Sequence, residues 1–205
     1  MAMFTDDELR VELLQISTLI LEHGADVLAA EGTSKLDAIK FGWSFLSLED
    51  VTVKHAAYLF ISRFLQKFES PIKITGQVYV GLLRLTPSDG RALVRRALDT
   101  LVPALPERVP SKDGQTPLWV KWTKRTLLDE GHNVLQLCSI LQLLVRYSDL
   151  FYDSRDLFVP HMVTSLAKLG FASSSTAESK KLAIQLIDLL IKWDLPSSAD
   201  TDAQG

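Results

Sequence analysis

The chain has 205 residues, 47% of them hydrophobic and 23% charged, enough to bury a sizeable core. A formal net charge of −3 and a pI near 5.8 argue against a general nucleic-acid binder, which would carry a basic stripe. The lone cysteine, Cys138, excludes an internal disulfide and a cysteine-held zinc, and it fits a reducing compartment.

Helical periodicity runs from end to end, and the elements follow in chain order. The first predicted helix, 6–23, begins with Thr5 three residues before Glu8, the spacing of a capping box. Asp6 and Asp7 suit the positive end of its dipole, His23 suits the negative end, and Gly24 stands where a left-handed C-cap belongs. In the second helix, 33–48, the isolated Gly42 of KFGW is expected to allow close helix packing. The third, 50–69, starts at the acidic pair Glu49-Asp50. It places Val53, Ala56, Ala57, Phe60, Ile61, Phe64, Leu65 and Phe68 on one stripe, with Lys54, Arg63, Gln66 and Lys67 opposite.

Ser70-Pro71 reads as an N-cap hydroxyl before a first-turn proline and opens a helix over 71–86. A helix over 88–104 repeats the apolar stripe with Leu93, Ala97, Leu98, Leu101, Val102 and Leu105. Pro103 to Pro117, with further prolines at 106 and 110, is expected as an exposed loop. Thr116-Pro117 then opens 116–130, followed by 133–148, 153–169 and 176–193. Gly131 and Gly170 occupy C-cap positions, and Ser175 with Glu178 reads as another capping box.

About nine helices and no convincing strand give an all-α chain. Short connections make sequential helices antiparallel neighbours, in a closed bundle or an α-solenoid of HEAT/armadillo-like pairs; the solenoid is the expected fold. The organisation read from the sequence is helical repeats over 1–102, a Pro-rich loop over 103–116, further repeats over 117–195, and a small polar, disordered tail over 196–205. The last helix is apolar over much of its surface, from Leu182 to Trp193, and needs neighbours on more than one side. No apolar run reaches the roughly 20 residues of a membrane span, and the start Met1-Ala2-Met3-Phe4 followed by acids does not read as a secretory signal.

Cys138, in LQLCSILQLLV, is expected to be a buried, inert thiol. His23, His55, His132 and His161 have no metal-ligand spacing, so no metal or cofactor is expected, and His132 beside Gly131 reads as turn chemistry. The most functional-looking feature is basic: Arg91, Arg95 and Arg96, then Lys121, Lys124 and Arg125. Together they would suit an acidic protein segment or a phosphate. The competing reading, which we prefer, is a solvated face, with Asp99 four residues after Arg95 as its ion-pair partner. Trp119 and Trp122 would be either an exposed anchor or core, and core is preferred.

Several colinear segments are recognisable: KFGWSFLSLEDVTVKHAAYLFISRF, SPIKITGQVYVGLLR, GRALVRRALDTLVPALPERV, KWTKRTLLDEGHNVLQL, VPHMVTSLAKLGF and KKLAIQLIDLLIKWD. From about Leu36 to Asp194 the chain resembles the TRRAP family, very large subunits of histone acetyltransferase coactivator complexes such as SAGA. The resemblance implies HEAT-like repeats, elsewhere followed by a FAT region and a kinase-like domain without catalytic residues. It also implies a nuclear scaffold that docks transcription activators and sister subunits, with no enzymatic activity, small-molecule substrate, cofactor, direct nucleic-acid contact or membrane in this region. It carries over neither a catalytic nor an activator-binding residue. On this reading the chain is a fragment, a partial gene product or a diverged short relative, and as a fragment it is expected to be only marginally soluble in isolation. The alternatives are a segment of an active phosphatidylinositol-kinase-like kinase or another adaptor, and a small helical enzyme. The last would need His132, Cys138 and a carboxylate to converge.

Overall fold

The structure, a computed structural model, describes residues 6–24, 32–85, 91–112, 114–173 and 175–194. Among these residues all regular structure is helical. The chain divides into two compact units, 1–122 and 123–205.

The first unit holds α1 (Asp6–His23), α2 (Gly32–Phe45), α3 (Val51–Lys67), α4 (Ile72–Arg84), α5 (Arg91–Leu101), the short α6 (Leu105–Arg108) and the first turn of α7 (Leu118–Glu130). Its centre is α3. Val53, Ala56, Ala57, Leu59, Phe60, Ile61, Phe64 and Leu65 are all buried, covering far more than one stripe. A helix buried so fully needs several neighbours, and α3 packs on α1, α2, α4 and α5. The tightest packings are α1 on α3 and α3 on α5, helices two apart in the chain; consecutive helices also touch. That alternation is the two-layer arrangement of an α-solenoid.

The polar side of α3 is used as well. Arg63 lies 3.2 Å from Glu22 of α1 and donates to the Gln66 side chain at 2.8 Å. Arg108 of α6 donates to the Gln66 carbonyl at 2.8 Å. Gly42 is buried where α2 meets α3. A Cβ there would come within 2.5 Å of the Phe60 ring and 2.9 Å of Ile61, so the expected close packing is present.

The second unit holds the rest of α7, α8 (Val134–Arg146), α9 (Ser148–Phe151), α10 (Val159–Gly170) and α11 (Ala177–Asp194), with a 3-10 stretch over Tyr152–Leu157. α11 packs on both α10 and α8. Ile140, Leu141 and Leu144 of α8, Met162 and Leu169 of α10, and Leu182 and Leu186 of α11 are all buried, and Phe151 and Phe158 pair edge to face at 5.4 Å. No single described helix is long and apolar enough to cross a membrane. α8 with 148–157 passes on length and composition only as a pair bent by 92°.

Several local expectations are corrected. Gly24, Gly131 and Gly170 are not left-handed caps; among the described residues the one positive-φ glycine is Gly114, at 74°. Gly24 instead donates to the Ile20 carbonyl, continuing the helical pattern, and Gly170 lies inside α10. Ser70 does not cap α4, whose N-cap is Pro71 with no side-chain bond. The cap of α11 shifts by one residue: Thr176, not Ser175, accepts from the Ser179 N–H. The expected loop at 103–116 is largely helical at its start, with a 3-10 turn at Val102–Ala104 leading into α6. Pro103 and Pro106 fall in first turns, where a missing N–H costs nothing, and Leu105 and Val109 are buried. The helix expected from 153 starts only at Val159, with Pro160 in its first turn. Thr5 and residues 196–205 lie outside the described residues.

Candidate functional site

The basic set is carried by two helices. Arg91 opens α5; its side chain lies outside the described residues. Arg95 and Arg96 follow on the same helix and are exposed. On α7, spacings of three and four put Lys121, Lys124 and Arg125 on one face, with Lys121 and Arg125 exposed and Lys124 half-buried. Two of the cations already face acids one turn on: Arg95 is 3.8 Å from Asp99, and Arg125 is 3.8 Å from Asp129. Such long, exposed pairs contribute about 0–1 kcal/mol each and leave the guanidinium groups accessible.

The two tryptophans part company. Trp119 is buried, as expected of core. Trp122 is half-buried and packs over Gly76 of α4, where a Cβ would come within 2.7 Å of its ring. There it lines an open groove of about 460 Å³ on the exposed face of α4, with Lys73, Gln77, Val80 and Arg84. These four recur at spacings of four, three and four, one stripe of a helix. Gly81 also lines the groove, and the Tyr58 hydroxyl sits 2.6 Å from where its Cβ would be. Sequence reasoning passed over this feature. Its signal was the pair of glycines inside IKITGQVYVGLLR, each unfavourable by about 1 kcal/mol in a helix unless close packing requires it.

Several other titratable groups sit at helix caps, in a turn or in the core. Asp50 caps α3, its carboxylate accepting from the Val53 N–H at 2.8 Å. His132 is exposed at the turn before α8, its Nδ1 3.1 Å from the Asp129 carbonyl, and Asn133 caps α8. Cys138 is buried within α8. His55 is buried in α3, and its Nδ1 has no hydrogen-bond partner among the described residues. Burial lowers its pKa, against a smaller opposing pull from Asp50. Among the described residues no group of three or more His, Cys, Asp or Glu side chains is placed to hold a metal ion.

Stacked amphipathic helices, with an exposed groove and accessible cations, define a helical-repeat segment. The family model described as the Tra1 HEAT repeat ring region matches residues 1–204, and the chain belongs to this family. It is 43% identical over 189 residues to "Probable transcription-associated protein 1" of Dictyostelium discoideum, covering 92% of this chain and 4% of that protein. It is 38% identical over 188 residues to "SAGA complex/NuA4 acetyltransferase complex subunit TRA1" of Saccharomyces cerevisiae, covering 92% and 5%. It is 34% identical over 201 residues to "Transformation/transcription domain-associated protein" of Homo sapiens, covering 95% and 5%. The chain thus spans about a twentieth of the length of these relatives. The resemblance to the TRRAP family read from the sequence is established by these matches.

Proposed function

We propose that this chain is a non-catalytic scaffold segment of a nuclear transcription coactivator complex with histone acetyltransferase activity, offering helical-repeat surface to activators or sister subunits. The observation that carries this reading is the family match across residues 1–204, together with a yeast relative named as a subunit of two acetyltransferase complexes. The surface supports it. Leu9, Leu13, Ile16 and Ile20 form an exposed apolar stripe on α1, and Ile184, Ile187 and Ile191 form another on α11. Helical repeats bury such faces against neighbouring repeats or subunits. Arg91, Arg95 and Arg96 on α5, and Lys121, Lys124 and Arg125 on α7, are the candidate protein contacts.

The test is a segment exchange. The matching stretch of the yeast relative is replaced by this chain, the subunit is affinity-purified, and acetyltransferase activity and subunit content are measured. Assembly at wild-type levels is expected. Loss of the complex while the exchanged protein accumulates normally would count against the scaffold reading.

A further inference from the structure

We infer that Thr116 is a phosphorylation site for a proline-directed protein kinase, and that the phosphate it receives offsets the positive charge at the start of α7. The chain carries three dipeptides in which a hydroxyl residue precedes proline: Ser70-Pro71, Thr86-Pro87 and Thr116-Pro117. A proline in the second position has no backbone N–H to leave unpaired in a kinase cleft that offers no acceptor there, and this is how such enzymes select their substrates.

The structure separates the three. Ser70 lies in the link 68–71 between α3 and α4, where Phe68 is buried and the next helix already starts at Ile72. That link has no extended stretch for a kinase to hold. Thr86-Pro87 lies outside the described residues. Thr116 lies near the end of the connection 109–117 between α6 and α7. Buried Val109 and Trp119 anchor the chain on either side, while Pro110, Ser111, Lys112, Gly114 and Gln115 are exposed. Gly114 turns the chain with a φ of 74°, and the Gln115 N–H donates to the Lys112 carbonyl at 3.0 Å. Thr116 itself is half-buried. The hydroxyl that the sequence offered as an N-cap is unused: among the described residues it has no hydrogen-bond partner. The Pro117 carbonyl takes the first helical bond of α7 instead, accepting from the Lys121 N–H at 3.1 Å. Modifying Thr116 therefore breaks no structural bond.

The kinase brings the co-reactant, magnesium-bound ATP. The bond from Thr116 Oγ1 to the γ-phosphorus forms as the bond from that phosphorus to the ADP oxygen breaks, and the hydroxyl proton passes to the aspartate of the kinase. The product carries a charge of about −1.5 to −2 at neutral pH. It stands just ahead of a helix whose first N–H groups, at Leu118, Trp119 and Val120, have no intrahelical acceptor. Lys121, exposed one turn into α7, is the first cation after it. Helix start and lysine both favour the dianion. The dianion in turn lowers the positive charge of the face that carries Lys121, Lys124 and Arg125, so the modification regulates the proposed protein contacts of α7.

The experiment incubates the 205-residue chain with magnesium-bound ATP and purified kinases of the cyclin-dependent and mitogen-activated classes, then locates phosphate by tandem mass spectrometry. Phosphate at Thr116 is expected. Thr116→Ala should lose most of the incorporation, and so should Pro117→Ala, which keeps the hydroxyl; thermal melts establish that both variants fold. No incorporation, phosphate confined to Ser70 or Thr86, or incorporation that survives Thr116→Ala would each overturn the inference. The second readout is a phosphorus NMR titration of the modified chain. A phosphate free of its surroundings loses its second proton near pH 6, about the unperturbed value. Ahead of α7 the midpoint should lie below that value, and Lys121→Ala should return part of the shift. A midpoint at the unperturbed value, or one that ignores Lys121→Ala, would overturn the regulation of the α7 face. The outcome is independent of the scaffold reading, which the segment exchange tests separately.

Discussion

Replacing Gly42 by alanine tests the packing of α2 on α3 most directly. The added methyl would sit 2.5 and 2.8 Å from two carbons of the Phe60 ring and 2.9 Å from Ile61 Cγ1. Those neighbours cannot easily yield. Phe60 and Ile61 are buried, and Phe60 is held edge to face against Phe41 at 5.6 Å. Overpacking a well-filled core costs about 1–3 kcal/mol, whereas glycine to alanine inside a helix gains about 1 kcal/mol. The net expectation for G42A is a loss of about 0–2 kcal/mol, toward the upper end because all three contacts fall below 3.0 Å and involve buried side chains. Gly170→Ala is the control: its methyl would lie 3.7 Å from the Ala183 Cβ, an ordinary contact, at a position with no left-handed backbone. There the helix-propensity gain should appear with little offset. Urea unfolding followed by circular dichroism measures both, fitted with two transitions if the units melt separately. The reasoning is refuted if G42A is as stable as the wild type, or if G170A loses as much as G42A.

Three further outcomes are expected. Burial lowers the His55 pKa, so the unfolded chain binds more protons than the folded one and stability rises with pH. His55's contribution is complete above the ordinary imidazole value of about 6.5 and is lost as pH falls through the lowered folded value; the urea midpoint should track this, and His55→Gln should flatten the profile. Asp50→Ala and Asn133→Ala each remove a helix cap and should cost about 1 kcal/mol, read from the same unfolding curves. Cys138 is buried, so a thiol reagent should label it only on the timescale of unfolding; rapid labelling of the folded chain would show that α8 opens locally.

Much of the fold was legible because helical signals are local. The period of apolar residues placed the long helices, and Asp50 and the apolar run around Cys138 announced a helix start and a buried helix. The same local signals misled at helix ends. Gly24, Gly131 and Gly170 looked like caps because glycine there is permissive, yet none of them has a positive φ: Gly24 makes one more helical bond to Ile20 just past the end of α1, and Gly170 is the last residue of α10 itself. Prolines at 103 and 106 looked like a loop because proline breaks helix interiors, but first turns tolerate it.

What the sequence determined alone is the all-α class, the long helices, the absence of a nucleophile motif or metal-ligand spacing, and the resemblance to a family. What tertiary structure decided is which apolar faces find partners. Periodicity gives α3 one stripe, while packing buries it nearly all round and leaves the stripes on α1 and α11 exposed. It also decided the groove. Lys73, Gln77, Val80 and Arg84 share a stripe by spacing alone, but they form a site only because Trp122, distant in sequence, lies over Gly76. Helix period is encoded within a few residues, whereas a groove is made by residues that only the folded chain brings together.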